Sequence, residues 1–308
     1  MFNGIVMFNF SQIVYLGWWW FRAKFFNRRK PLQSVIFISD RCNLSCKHCN
    51  IYNHKNPLNK TWEQIEEELR YCYSSGSRFV DFEGGEPFLW TDKGYDVNDL
   101  CDLAHKIGFF SCTITTNAQK DFSASRADSI WVSLDGIGEY HDKIRGEGAF
   151  ARLEKNIAAS GHPALSVNMA INSINADDVE EVLEYVKRSP YIKMVSLNFH
   201  TPFPGTENMA LDMQRRSEII DTIIAYKKRG YPIMNSVSGL KKMRTLKFKK
   251  ACWMSNFIYV DGKRLPECVG SSVGICDKCG FCMAGEERSV MNLCPDTLLA
   301  GMNLRVKK

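Results

Sequence analysis

The 308-residue chain lacks an internal repeat, a low-complexity stretch, a large net charge and a clean membrane span. Without a repeat there is no solenoid or propeller to expect. With 45% hydrophobic and 24% charged residues the chain has ordinary globular composition and enough length for one barrel-like domain plus a smaller appendage. Forty basic against 34 acidic residues leave a net charge of +6, a mild excess that does not by itself suggest nucleic acid. No cleavable secretory signal is expected, because positive charge follows the first apolar stretch instead of preceding it. The twelve cysteines therefore read as thiols of a reducing compartment, set aside for metal or cluster ligation more than for disulfides.

The first 22 residues, MFNGIVMFNFSQIVYLGWWWFR, carry no charge before Arg22. Asn3, Gly4, Asn9, Ser11, Gln12 and Gly17 interrupt them, so the roughly 20 apolar residues of a span are not present. Trp18, Trp19 and Trp20 are followed by Arg22, Lys24, Arg28, Arg29 and Lys30, an order suited to a membrane interface, where indole rings sit at headgroup depth. A helix packed on its own domain or on a partner is the alternative. A second basic block, Lys241, Lys242, Arg244, Lys247, Lys249 and Lys250, reads as a solvated face or a contact for an anionic surface.

From Ser34 onward apolar β-branched runs alternate with helical patterns, which predicts βα units and a parallel sheet. Strands are expected at 35–39, 79–82, 110–115, 130–134, 165–171 and 194–199. Thr61 with Gln64, and Asn175 with Asp178, have the spacing of capping boxes; further helices are expected at 97–107, 150–160 and 217–228. Beyond about residue 230 the rhythm breaks, and glycine, proline and cysteine crowd 262–285. Active sites of parallel βα folds form at the carboxyl ends of the strands. CNLSCKHC, EGGEP, TTN and SLDG follow the first four strands in turn.

CNLSCKHC places Cys42, Cys46 and Cys49 at spacings of three and two intervening residues. A structural zinc site closes a tetrahedron with four ligands, and no second knuckle lies nearby. Three thiolates on a four-iron cluster leave one iron open for chemistry.

These residues resemble the radical S-adenosylmethionine (SAM) superfamily, whose signature is CxxxCxxC after the first strand, here joined by Gly84, Gly85, Glu86 and Pro87 after the second. The resemblance implies an α/β fold, a partial TIM-like (β/α)6 barrel with a small cysteine-rich C-terminal extension. It divides the chain into an apolar and basic segment 1–31, a core barrel 32–230 and the extension 231–308. It further implies that Cys42, Cys46 and Cys49 hold a [4Fe-4S] cluster whose free iron chelates SAM, and that Gly84, Gly85, Glu86, Pro87, Ser133 and Arg145 form the SAM site, Arg145 facing the carboxylate. His48 stands where the family often has an aromatic residue packed on adenine. The implied reaction is reductive cleavage of SAM to a 5'-deoxyadenosyl radical that takes hydrogen from, or adds to, a substrate, with flavodoxin or ferredoxin as electron donor.

In the extension, Cys252 and Cys268 flank an expected hairpin turning at Asp261–Gly262, and Cys276, Cys279 and Cys282 follow. This resembles the SPASM and twitch extensions of peptide-modifying radical SAM enzymes and implies a second, auxiliary [4Fe-4S] cluster, with a zinc ribbon as the alternative; Cys294 is a fourth ligand or a spare thiol. Cys72, Cys101 and Cys112 read as buried thiols. A wider resemblance, to the hopene-adenosylating enzymes of hopanoid synthesis, rests on the apolar lead-in and on Gly136, His141, Asp142, Gly148 and Phe150. The expected substrate is a lipid or other hydrophobic small molecule, with a peptide as the alternative and no nucleic acid. The expected setting is the cytoplasm, at the inner face of the membrane if the N-terminus docks there. A non-catalytic zinc module gives no reason for GGEP. Asp81, Glu83, Asp135 and His200 are candidates for proton or hydrogen-atom handling by their strand-end positions alone.

Overall fold

The computed structural model describes residues 9–49 and 56–303. The start of the N-terminal segment and the last five residues of the extension lie outside the described residues. Helix α1 (Phe10–Phe25) begins at Asn9, whose side chain accepts from Gln12 N while the Gln12 side chain returns to Asn9 N. Strand β1 (Gln33–Ser39) is buried along almost its whole length, as a parallel strand covered on both faces requires. Helix α2 (Trp62–Ser75) starts from the expected Thr61–Gln64 capping box.

The chain continues through β2 (Phe79–Gly84), a short hairpin of β3 (Thr91–Asp92) and β4 (Tyr95–Asp96), α3 (Val97–Ile107), β5 (Ser111–Thr116) and β6 (Ser129–Ser133). It then forms α4 (Glu139–Arg145), α5 (Ala149–Ser160), β7 (Leu165–Ile171), α6 (Val179–Arg188), β8 (Val195–Phe199) and α7 (Met213–Lys228). Strands β1, β2, β5, β6, β7 and β8 pair in that order, all parallel, with helices on the outside. The six parallel strands are those the alternating pattern predicts, and their arrangement is the partial barrel that the family resemblance implies.

Asn175 departs from expectation. No capping box forms there, and α6 begins without a side-chain cap. The Asn175 amide is buried, accepts from Asn172 N at 2.7 Å and donates to the carbonyls of Asp135 and Ala170 at 3.0 and 3.2 Å. Buried strand-end carbonyls need donors more than an exposed helix start does, so the side chain ties β6 to β7.

The extension supplies α8 (Val237–Met243), β9 (Ser255–Ile258), β10 (Arg264–Leu265), α9 (Val269–Ser272), α10 (Met283–Met291) and α11 (Pro295–Asn303). The expected hairpin forms, with Gly262 at φ 83° in its turn. Strand β9 also joins the free edge of β1 in parallel, so the extension widens the barrel sheet to eight strands among the described residues. At the opposite edge Gly280 abuts β8: its N–H donates to Thr201 Oγ1 at 3.0 Å, and its carbonyl accepts from Phe199 N at 2.9 Å.

Helix α1 lies across the amino-terminal ends of the strands. Tyr15 Oη donates to Gly76 O at 2.6 Å, and the Arg78 guanidinium lies 4.5 Å over the Tyr15 ring. Trp19 and Ala23 are buried against Ala251, Met254 and Met291 of the extension. The other face, with Phe10, Ile13, Val14, Trp18, Phe21 and Phe25, is exposed. At 16 residues α1 is too short to span a bilayer, and no helix among the described residues is long and apolar enough to do so.

A Cβ on Gly280 would meet Phe199 O at 2.0 Å, which backbone cannot yield cheaply. Gly280→Ala is therefore expected to cost about 1–3 kcal/mol, as overpacking does, read as a lower urea midpoint. An unchanged midpoint would mean that the extension does not bear on β8.

Candidate active site

The barrel encloses a chamber of about 810 Å³. Its wall follows from strand alternation. On β5 the inward set is Ser111, Thr113 and Thr115, while Cys112 and Ile114 face the helices in the core. Strand β6 turns Ser129, Trp131 and Ser133 inward, β7 contributes Ser166 and Asn168, and β8 contributes Ser196 and Asn198. The wall is mixed: this polar row shares the chamber with Val35, Phe37, Phe79, Trp131, Phe257 and Tyr259. Gln12 of α1, Gln33 and Phe79 line the floor; Cys49, His48, Arg145 and His200 line the end where the strands terminate.

The cysteine loop follows β1 and is braced from behind by EGGEP. Gly85 N donates to Ser39 O at 2.7 Å and Glu86 N to Arg41 O at 2.9 Å. A Cβ on Gly84, where φ is 148°, would meet Ser39 O at 2.1 Å, and one on Gly85 would meet Arg41 O at 2.2 Å. The close approach these glycines permit is to the loop's own backbone. The buried Glu86 carboxylate accepts from Thr116 Oγ1, Asn117 N and Phe88 N at 2.7, 2.7 and 3.1 Å, and Pro87 opens a single buried turn. Glu86 thus fastens the ends of β2 and β5 together.

Arg145 lies behind the loop. Its Nε donates to Asp135 Oδ2 at 2.7 Å, and Nη1 is 3.8 Å from Cys46 Sγ. Burial alone would push Asp135 up, but Arg145, then His48 and the Ala170 N–H, outweigh it and hold the carboxyl at about 2. Burial likewise works against the Arg145 charge, yet Asp135 and Cys46 raise its pKa further. His48 Nε2 is 3.7 Å from the same carboxylate, but burial dominates and lowers its pKa to about 4, so the ring is neutral. His141 is lowered to about 4 by burial and then by Arg145; its Nδ1 accepts from Asp135 N at 3.2 Å. Ser133 lines the chamber at the end of β6.

Burial pushes the Cys46 thiol up to about 11, only partly offset by Arg145, and raises Cys42 as well. Asn117 Nδ2 and Leu44 N approach Cys42 Sγ at 3.6 and 3.5 Å. Cys42 facing N–H donors, Cys46 facing a fixed guanidinium and Cys49 beside them form a donor set that suits an anionic cluster, whose binding would release the thiol protons.

Deeper in the chamber Thr115 Oγ1 lies 3.3 Å from Asp81 Oδ1 and 3.5 Å from Glu83 Oε1. Burial raises Glu83 to about 7, and burial with the Glu83 charge raises Asp81. Burial thus favours the protonated, hydrogen-bond-donating form of both carboxyls, with Glu83 half-titrated near neutral pH. His200 Nε2 is 3.0 Å from Thr206 Oγ1. All four strand-end candidates, Asp81, Glu83, Asp135 and His200, thus lie in the chamber or directly behind it.

In the extension Cys252, Cys268 and Cys279 line the same chamber. Cys252 and Cys268 share a thiol hydrogen bond that raises the first and lowers the second, and Cys279 interacts with both. Cys282 is buried next to Cys279 and pushed by burial to about 12. Cys276 is half-buried, and its carbonyl accepts from Lys250 Nζ at 2.5 Å. Cys72, Cys101 and Cys112 are fully buried, and Cys294 is half-buried before α11. Among the described residues no three His, Cys, Asp or Glu side chains converge at the spacing of a single metal ion. Two groups escape a reading of the sequence. Glu287, raised by burial to about 8, accepts from Ser255 Oγ at 2.8 Å beside Cys252, and Arg216 sits beside Cys279 and Cys282. Both look like ordinary polar residues of a helix, and only their burial distinguishes them.

Residues 36–162 match the family model described as the radical SAM superfamily. The chain is 28% identical over 181 residues to a probable GTP 3',8-cyclase of Methanosarcina mazei, covering 53% of this chain and 52% of that protein. It is 25% identical over 148 residues to the antilisterial bacteriocin subtilosin biosynthesis protein AlbA of Bacillus subtilis, covering 46% and 33%. The chain spans about half the length of the first curated relatives it matches. The crystal structure of Streptococcus suis SuiB bound to precursor peptide SuiA superposes with a TM-score of 0.61 at 18% identity, covering 91% of this chain and 68% of that one, a likeness of fold.

The raised pKa of Glu83 makes a signed prediction. The folded protein keeps its proton up to about pH 7, whereas the unfolded chain releases it near the ordinary 4.5. Between those values the native state binds more protons, so the Glu83 contribution to stability falls as pH rises. Glu83→Gln is expected to flatten that part of the pH profile, measured as urea midpoints at about pH 5 and pH 7.5. An equally steep fall in the variant would contradict it.

Proposed function

From the match of residues 36–162 to the radical SAM superfamily model and the chamber beneath the cysteine loop, we propose that the chain is a radical SAM enzyme that takes hydrogen from a side chain of a peptide substrate. When bound, the [4Fe-4S] cluster and SAM supply a 5'-deoxyadenosyl radical, the hard part of the chemistry. Cys42, Cys46 and Cys49 hold the cluster. Arg145, locked by Asp135, offers a fixed cation to the SAM carboxylate, an arrangement stronger and more directional than a mobile side chain gives. Ser133 and neutral His48 line the adjoining wall and orient the cofactor. Asp81 and Glu83, whose protonated forms burial favours, offer donors to substrate carbonyls when they carry their protons.

The observation that carries the peptide reading is the inward-facing row of hydroxyls, amides and carboxyls on β2 and β5 to β8. Part of that row is paired within the wall, Thr113 Oγ1 with Ser129 Oγ at 2.8 Å and Thr115 Oγ1 with Asp81 Oδ1 at 3.3 Å, and a hydrocarbon chain would leave the remaining polar groups without hydrogen bonds, at about 1–3 kcal/mol each by mutational experience. A peptide satisfies them. Two similar proteins, the subtilosin biosynthesis protein AlbA and SuiB with its bound precursor peptide, favour the same class. These similar proteins lend the lipid reading no support. Cys252, Cys268 and Cys279, with Cys282 behind them, are the proposed ligands of an auxiliary [4Fe-4S] cluster at the chamber's edge. Electrons come from an external carrier such as flavodoxin or ferredoxin.

We also propose that α1 rests on an anionic membrane surface. Phe10, Val14, Trp18, Phe21 and Phe25 form an uncharged exposed stripe at helical spacing, and Lys24, Arg28, Arg29 and Lys30 stand exposed at its end. Because α1 crosses the amino-terminal ends of the strands, this contact turns the cysteine loop away from the bilayer. The membrane acts as a tether, and the peptide substrate reaches the loop from the aqueous side.

Anaerobic protein reconstituted with iron and sulfide should convert SAM to 5'-deoxyadenosine under dithionite, and Cys46→Ala should lower this at least about 100-fold, the scale of losing an essential group. Given deuterated peptides and deuterated lipids from the same cells, deuterium should enter 5'-deoxyadenosine from the peptides. Transfer from the lipids alone would sink the peptide reading. Separately, the protein should pellet with phosphatidylglycerol vesicles and be released by salt, since each basic residue contributes about 1 kcal/mol at an anionic surface. A Trp18→Ser, Phe21→Ser, Phe25→Ser variant that pellets equally well would dispose of the tether.

A further inference from the structure

Arg216 is placed where a leucine would ordinarily be. On α7 the buried stripe is Arg216, Ile219, Ile220, Ile223 and Ile224, so the guanidinium occupies a core-facing position at 3% exposure. Its neighbour Arg215 is the ordinary case, half in solvent and paired with Asp177 and Glu218. Arg216 has no such carboxylate. Nη1 donates to Cys279 O at 2.6 Å, and Cζ lies 4.6 Å over the Phe199 ring. Nε and Nη2 are buried without a hydrogen-bond partner. The anionic-capable groups that act on it are the thiols of Cys279 and Cys282.

An uncompensated buried cation with two idle donors is among the costlier things a core can hold. Its retention is explained if the working protein keeps an anion there. A cluster ligated by thiolates is such an anion, and it becomes one charge more negative on reduction. A fixed cation in a low-dielectric interior, with N–H groups free to donate to sulfur, stabilises the reduced state more than the oxidised one. We infer that Arg216 is the built-in counter-charge of the auxiliary cluster in the extension and holds its reduction potential up. Arg216 is a positioning and tuning residue, not a ligand. The inference rests on the auxiliary-cluster reading above.

The test uses the full chain carrying Cys42→Ala, Cys46→Ala and Cys49→Ala, so that iron bound to it belongs to the extension. Iron, acid-labile sulfide and the EPR-monitored midpoint are measured with and without Arg216→Met and Arg216→Lys. If the triple variant binds no iron and sulfide, the cluster reading fails, and the inference fails with it. If it does bind them, Arg216→Met should lower the reduction equilibrium constant at least tenfold, a midpoint about 59 mV more negative for a one-electron couple. Arg216→Lys, which keeps the charge and loses the fork, should fall between. A cluster whose midpoint is unmoved by either change overturns the inference alone. Should Arg216→Met fail to hold a cluster, the Lys variant decides by the same criterion. Melting adds an independent sign: without iron, Arg216→Met should melt higher than its parent, because an unpaired charge is gone, and loading should raise its melting temperature less. A lower melting temperature for the iron-free variant would mark Arg216 as a merely structural residue.

Discussion

The buried pair of Arg145 and Asp135 organises the reactive end of the barrel. Asp135 stands just past the end of β6 and takes the Ala170 N–H of β7 at 2.9 Å, so its carboxylate joins two strands before it meets any charge. Arg145 completes that carboxylate and extends to Cys46, and neutral His48 faces the same oxygen. A buried pair of this kind is expensive unless every lone pair and proton finds a partner. Here the backbone supplies what the side chains do not, and the loop of three cysteines inherits a rigid wall.

A second constraint is the reversal of polarity across the sheet. Each strand must bury an apolar face against the helices, and period-2 alternation then presents the other face to the interior. In a filled barrel that inner face would also be apolar. Here serine, threonine, asparagine and the Asp81–Glu83 pair share it with Val35, Phe37, Phe79 and Trp131, and the barrel stays open around a chamber. The stability that an inner core would contribute is replaced partly by the outer helices and partly by β9, which covers the free edge of β1. Cys252 and Cys268, which flank that hairpin, reach the chamber as a consequence of the edge pairing.

Helix α1 meets two demands with one apolar surface. Trp19 and Ala23 bind it to the extension, and Trp20 Nε1 donates to Val290 O at 3.2 Å, while the opposite stripe is left for another surface. A helix that is apolar all round is stable in water only if both faces are eventually covered. The fold covers one of them.

Locally encoded features were legible in the amino-acid sequence. The six barrel strands, the Thr61 capping box, the hairpin at Asp261–Gly262 and the buried thiols Cys72, Cys101 and Cys112 all depend on periodicity or on turn chemistry spanning a few residues. The resemblance of CNLSCKHC and GGEP to one enzyme family was likewise a property of short segments. The tertiary structure alone decided what depends on partners far along the chain. Asn175 caps no helix because strand-end carbonyls claim it, and Glu86 is spent on β5. Gly84 and Gly85 answer to Ser39 and Arg41, and Arg216 is a core residue with idle donors. A side chain's periodicity is written in its neighbours, but its hydrogen-bond and charge partners are set by which buried groups the fold leaves unsatisfied, and these lie tens of residues away.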